Sequence, residues 1–345
     1  MNTKHHLGSF AALAATLTFV ALVPPALAAF PGHNGRIAFQ ADTGAGYQIY
    51  TVRPNGHDLR QITHVSGEAT HPDWSPDGRR IVFEHDIMIA PVCSSIAIMN
   101  ADGSDLIDLL PGPDVCDGDP SFTPDGTRLV FDRFDFNTGD EALWIMSLDG
   151  TDRQRITSGP SAQRADPTVS PNGEMLSFVG FNGQDFGQAL FTVGLDGGDL
   201  FQLTPFTFDV AIKQDWAPDG RHLVFTDNAD FPHPGDSANI ATIRPDGTDL
   251  RYLTHYQGGD INAFVGSYSP DGRWIVFRLE DHGLYGLYKM HPDGSHIRVI
   301  LGLSSFKPRG MDWGPRSDDP DDVTGRFKIT HLGSNQNHPP WWAVM

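Results

Sequence analysis

Six prolines, at 76, 124, 171, 218, 270 and 315, each follow a short strand-like run, and five places before them stand His71, Asp119, Asp166, Lys213, Val265 and Gly310. Imidazole and carboxylate are the side chains that move protons near neutral pH and hold divalent cations. His71, Asp119 and Asp166 therefore form a candidate channel-mouth set, and calcium or another divalent cation could bind them. Lys213, and Arg309 beside Gly310, place positive charge where a cation site would want oxygen. The mixed set fits a peptide or small polar ligand better than a bare ion, so no cofactor and no metal ligand is expected. Structural networks also gather ionisable groups in this way.

Covalent chemistry has little to work with. The chain contains no G-x-S-x-G, H-E-x-x-H, Walker or dinucleotide-binding signature, and no catalytic residue is expected. The alternative is a metal-dependent lactonase or lyase-like enzyme, or a carbohydrate or small-molecule binder, working in a central channel, for which His71, Asp119 and Asp166 are a partial match. Cys93 and Cys116 are the two cysteines. They stand at the open ends of one hairpin whose turn is Asp102-Gly103, within reach of a disulfide, and no His/Cys quartet has zinc spacing.

The elements that must position these residues are repeats. One motif reads DWSPDGRRIVF at 73–83, SFTPDGTRLVF at 121–131, TVSPNGEMLSF at 168–178, DWAPDGRHLVF at 215–225 and SYSPDGRWIVF at 267–277, with a headless copy, NGRIAF, at 34–39. A second motif alternates with it, as in IYTVRPNGHDLRQIT at 49–63 and IATIRPDGTDLRYLT at 240–254. Apolar and β-branched residues alternate on both sides of Pro-Asp-Gly and Asp-Gly turn chemistry, which predicts four short strands per unit. Six units of about 47 residues predict an all-β fold, a six-bladed β-propeller of four-stranded antiparallel blades. The first unit lacks its inner strand and RGMDWGP at 309–315 is a spare one, so a C-terminal strand should complete blade one and close the ring. Trp74, Phe122, Trp216, Tyr268 and Trp313 share one register and should pack between blades. Asp77, Asp125, Asp219 and Asp271 are turn residues.

These repeats resemble the TolB-type propeller repeat of bacterial envelope proteins over about residues 34–315. The resemblance implies an exported or periplasmic domain, often one that binds other proteins, here without the α/β domain that precedes the propeller in the name-giving protein. The partner it implies is a protein or peptide, met by a monomer through the loop-rich face and channel mouth, without catalysis. Long connections are expected on that face at 84–94, 132–142, 179–189, 226–238 and 278–286.

Composition agrees with export and argues against nucleic acid. With 24 Lys+Arg against 43 Asp+Glu the net charge is −19, which repels polyanions. Residues 1–28 read as a signal peptide, an apolar stretch at 7–23 followed by Pro24-Pro25 and a small-x-small site ending at Ala28. No later segment is apolar for long enough to span a membrane as a helix. The domain boundaries expected are 1–28 for the leader, 29–316 for the propeller and 317–345 for an acidic tail.

Overall fold

The computed structural model describes residues 32–42, 44–87, 94–157, 164–182, 187–228 and 237–317. The leader, Cys93 and the tail beyond Ser317 lie outside the described residues.

The described residues form six four-stranded antiparallel sheets. Blade one holds β1 (Asn34–Asp42), β2 (Tyr47–Val52) and β3 (Arg60–Gln61); blade two β4 (Glu68–Trp74), β5 (Arg80–Asp86), β6 (Ser95–Asn100) and β7 (Ile107–Leu109). Blade three holds β8 (Val115–Phe122), β9 (Arg128–Asp135), β10 (Asp140–Ser147) and β11 (Gln154–Arg155); blade four β12 (Arg164–Val169), β13 (Met175–Phe181), β14 (Gln188–Gly194) and β15 (Phe201–Gln202). Blade five holds β16 (Gln214–Trp216), β17 (Leu223–Asp227), β18 (Asn239–Ile243) and β19 (Arg251–Tyr252); blade six β20 (Ile261–Tyr268), β21 (Ile275–Asp281), β22 (Leu284–Met290) and β23 (Arg298–Ser304). The last strand, β24 (Arg309–Pro315), returns to pair with β1 as the inner strand of blade one.

The turn chemistry explains why the strands reverse where they do. In the first full repeat, Gly78 takes a φ of 67° and its N–H donates to Ser75 O (2.8 Å). Asp77 Oδ1 accepts from the Ser75 hydroxyl (2.6 Å) and from Arg79 N–H (3.0 Å). Asp125, Asp219 and Asp271 repeat the second bond, so these aspartates serve the turn, as expected. The closing threonine of the second motif has a job too. The Oγ1 atoms of Thr63, Thr157, Thr204 and Thr254 accept from the buried N–H groups of Ile49, Leu143, Leu190 and Ile240 at 2.7–3.0 Å, fastening each outer edge to its third strand.

Two of the expected loops are mostly strand. Residues 132–142 and 278–286 continue as β9–β10 and β21–β22, reversing in short turns at Gly139 and Gly283, both with positive φ. Alternating side chains such as Arg133-Phe134 and Leu279-Glu280 extend the ladders past the motif.

Among the described residues, no blade has a core of its own. Six clusters of buried apolar residues lie at the six seams, each mixing side chains of adjacent blades. Trp74, Phe122, Trp216, Tyr268 and Trp313 are each 2–6 % exposed and wedge into five of them, and Val169 holds the same register in the sixth. Packing between blades is thus what the repeated aromatics do. The seam joining the chain's ends sets Met311 and Trp313 of β24, with Ile37 and Phe39 of β1, against Val276, Leu287 and Ile300 of blade six.

Closure generates a prediction. A chain ending at Phe306 loses β24, its ladder with β1 and the buried Trp313, whose deletion alone costs about 3–5 kcal/mol. That rivals the stability of an ordinary domain. The Phe306 truncation is expected to melt far lower or without cooperativity in differential scanning calorimetry, whereas a chain ending at Ser317 keeps the full-length midpoint.

Candidate functional site

The residues five before the motif prolines occupy one structural position. In β4, β8, β12, β20 and β24 the inner strand advances three residues while its partner advances two, for example from Thr70↔Glu84 to Asp73↔Val82. The extra residue makes a bulge, which re-aims side chains and frees backbone groups. His71, Asp119, Asp166 and Gly310 stand there with φ of 44–54°, and Lys213, just ahead of β16, has φ 109°. His and Asp tolerate this left-handed region better than most residues. Val265, β-branched, does not adopt it. His71, Asp119, Asp166 and Gly310 therefore sit at bulges within their inner strands, whereas Lys213 stands just ahead of β16 and Val265 is paired with Phe277.

Four backbone N–H groups at or beside this position find side-chain acceptors in the preceding blade. His71 N–H donates to Gln40 Oε1 (2.6 Å), Asp166 N–H to Asp119 Oδ2 (3.0 Å), Gln214 N–H to Asp166 Oδ2 (3.0 Å) and Val265 N–H to Thr226 Oγ1 (2.9 Å). Side chains complete the chain: His71 Nδ1 lies 2.9 Å from Asp119 Oδ1 and Lys213 Nζ 4.0 Å from Asp166 Oδ1. The structure thus joins His71, Asp119, Asp166 and Lys213 in one run around the mouth. Arg309 is turned elsewhere, its guanidinium over the Tyr47 ring at 5.8 Å. Cys116 pairs with Phe134 across β8–β9.

Burial pushes Asp119 up, but the adjacent His71 charge outweighs it and leaves the carboxyl below its ordinary range. The same contacts, Asp119 before Glu84, outweigh burial at His71 and raise its imidazole well above the usual value. Asp166 is raised, chiefly by burial, against the pull of Lys213.

A second ring lies nearer the tight turns. Asp312 Oδ2 accepts from Trp74 N–H (2.8 Å), Asp73 Oδ2 from Phe122 N–H (2.9 Å), Asp215 Oδ2 from Tyr268 N–H (2.8 Å) and Ser267 Oγ from Trp313 N–H (2.7 Å). Asp73, Asp215 and Asp312 line a cavity of about 40 Å³ together with the seam aromatics, room for a few waters. Burial and then the Asp312 charge push Asp215 up to about 7, with Lys213 opposing. Asp73 and Asp312 are raised too, burial again leading.

Sequence reasoning missed this second ring and two further carboxylates, Glu84 and Asp132. A signal existed for both. Asp73, Asp215 and Asp312 all precede the seam tryptophan, and Glu84 and Asp132 occupy the place after the motif phenylalanine that Gln40 and Thr226 fill in other blades. That place faces the inner-strand bulges.

A group whose folded pKa is raised holds its proton when the unfolded chain has released it. Asp215 therefore favours folding at low pH, and its contribution falls away as pH rises from about 4 to about 7. The midpoint of thermal unfolding should drop between about pH 4 and pH 7, and Asp215→Asn, which keeps an acceptor for Tyr268, should flatten that slope. An unchanged slope in the variant would assign it to other groups.

The model described as the TolB beta propeller domain (PD40) matches residues 25–204. A 37-residue stretch is 57 % identical to the Tol-Pal system protein TolB of Nitratidesulfovibrio vulgaris, covering 11 % of this chain and 8 % of that protein. Among solved structures, TolB from Acinetobacter baumannii aligns with TM-score 0.66 at 18 % identity over 82 % of this chain and 67 % of that one. Hydrazine synthase from Kuenenia stuttgartiensis aligns with TM-score 0.62 at 13 % identity, over 82 % and 48 %. At such identities these structures share the fold and no more. With six blades of this repeat in place and more than half its length matched, the chain belongs to the TolB β-propeller domain family.

Proposed function

We propose that this protein is an exported propeller of the cell envelope that binds a protein or peptide partner through its loop-rich face and channel mouth, without catalysis of its own. The observation that carries the reading is the run His71, Asp119, Asp166, Lys213. These side chains are 30, 10, 8 and 14 % exposed, the first three held at bulges, and of both signs. A surface that presents fixed donors, acceptors and charges in a narrow funnel suits an extended polar segment entering from the loop side. Family membership and the match to a Tol-Pal system protein favour a partner in the envelope. The leader expected at 1–28 supports export, and in that oxidising setting Cys93 and Cys116 would be bridged.

Removing Asp119 or Asp166 outright would strand N–H groups of the next blade, at roughly 1–3 kcal/mol each, so the informative variants keep an acceptor. A combined His71→Gln, Asp119→Asn and Asp166→Asn protein should fold but lose at least tenfold in affinity for a partner captured from the native envelope fraction and re-measured by calorimetry. Asp125→Asn, at the opposite face, should bind normally. Normal binding by the triple variant would refute the mouth as the contact.

For the cysteines, thiol labelling of the unreduced, unfolded mature protein should find none. Two labelled thiols would refute the bridge.

A further inference from the structure

At the seam of blades two and three, one imidazole nitrogen faces more acceptors than it has protons. His71 Nδ1 lies 2.9 Å from Asp119 Oδ1 and 3.2 Å from Glu84 Oε2, and one donor atom from each of the three residues falls within 4.8 Å of the others. A fourth donor atom, Asp132 Oδ1, joins them. A methyl group built on Gly118 would stand 3.2 Å from Asp132 Oδ1 and 3.3 Å from Glu84 Oε2, so both carboxylates crowd over the same glycine, which leaves them room. Asp132 Oδ1 is buried and has no hydrogen-bond partner. Asp119 Oδ1, on a side chain nine-tenths buried, has none beyond the His71 contact.

Among the described residues, no Lys or Arg is ion-paired with Glu84, Asp119 or Asp132, and the nearby Arg133 is held by Asp117 at 2.6 and 2.8 Å. Three carboxylates against one imidazole leave the cluster short of positive charge. A buried oxygen without a donor is costly unless something fills the gap. Donors on four strands of two blades, β4, β5, β8 and β9, are held by the ladders and need little ordering to bind.

We propose that His71, Glu84, Asp119 and Asp132 hold one divalent first-row transition ion across this seam. One imidazole nitrogen with carboxylate oxygens suits zinc, manganese or iron(II), while calcium prefers six to eight oxygens. His71 and Glu84, 30 and 23 % exposed, open the site to the channel. The ion replaces the proton on Nδ1 and ties blade two to blade three.

The test uses the chelator-stripped mature chain with zinc in calorimetry and cobalt(II) in visible absorption. Expected are one ion per chain, a rise in melting midpoint of several degrees that EDTA reverses, and a cobalt spectrum that changes in His71→Ala. His71→Ala and the isosteric Glu84→Gln should each weaken zinc binding about 10- to 100-fold, Glu84→Gln serving if His71→Ala does not fold. His291→Ala, which removes half of the His291–His296 pair stacked at 4.4 Å, is the control and should bind as the parent does. The proposal is overturned if zinc does not bind, if calcium binds and zinc does not, if Glu84→Gln binds zinc undiminished, or if His291→Ala is the variant that loses it.

Discussion

Everything in this molecule depends on the seam between blades. A four-stranded sheet has two apolar faces and cannot bury either alone, so each blade is stable only between two neighbours. Five seams join consecutive segments of chain, and the sixth exists only because β24 crosses back to β1. Trp313 fills in that seam the place that Trp74 and Trp216 fill in theirs. The strand that closes the ring also carries Asp312, whose carboxylate accepts from Trp74 N–H, while Trp313 N–H donates to Ser267. Apolar packing and polar bonding around the axis are thus closed by the same seven residues.

The channel is what closure leaves over. Six inner strands converge on one axis, five of them carry a bulge, and on four of the six a backbone N–H near this level turns away from its own sheet. Side chains of the preceding blade must take up these groups, because an orphaned buried amide is costly. Aspartate is well suited: it tolerates the bulge conformation and its second oxygen reaches onward. The outcome is a channel lined by carboxylates that first serve as backbone acceptors. Their charge is only partly offset, since Lys213 answers to Asp166, Asp312, Asp73 and Asp215 together. Burial first, and that imbalance second, is why several of these carboxyls resist ionisation.

Most of the fold was legible because repetition turns weak local signals into a strong one. The turn aspartates, the seam aromatics and the closing strand each followed from register. The long loops expected at 132–142 and 278–286 were misjudged because the motif ends at its phenylalanine while the ladder does not, and strand length beyond a motif depends on side chains that differ from blade to blade. The mouth set was legible by counting, but its connections were not. Which carboxylate faces which N–H depends on the bulge, and a one-residue insertion in pairing leaves no mark in a single strand's sequence. Glu84 and Asp132 went unread for a related reason, standing on second strands whose other copies carry Gln40, Val179, Thr226 and Arg278.

That variability locates what is particular to this chain. A repeat position that packs a seam tolerates little change, and its occupants stay aromatic or apolar all around the ring. The bulge position and the place after the motif phenylalanine carry no such demand, and there the blades diverge. Blades one and five put uncharged acceptors, Gln40 and Thr226, behind the next bulge, and each bonds one N–H. Blades two and three put Glu84 and Asp132 there, beside a bulge histidine and a bulge aspartate, which is far more negative charge than N–H bonding requires. A neutral amide or hydroxyl would satisfy the backbone at lower electrostatic cost. The ring's architecture therefore accounts for Gln40 and Thr226 in full, while Glu84 and Asp132 carry more charge than it requires.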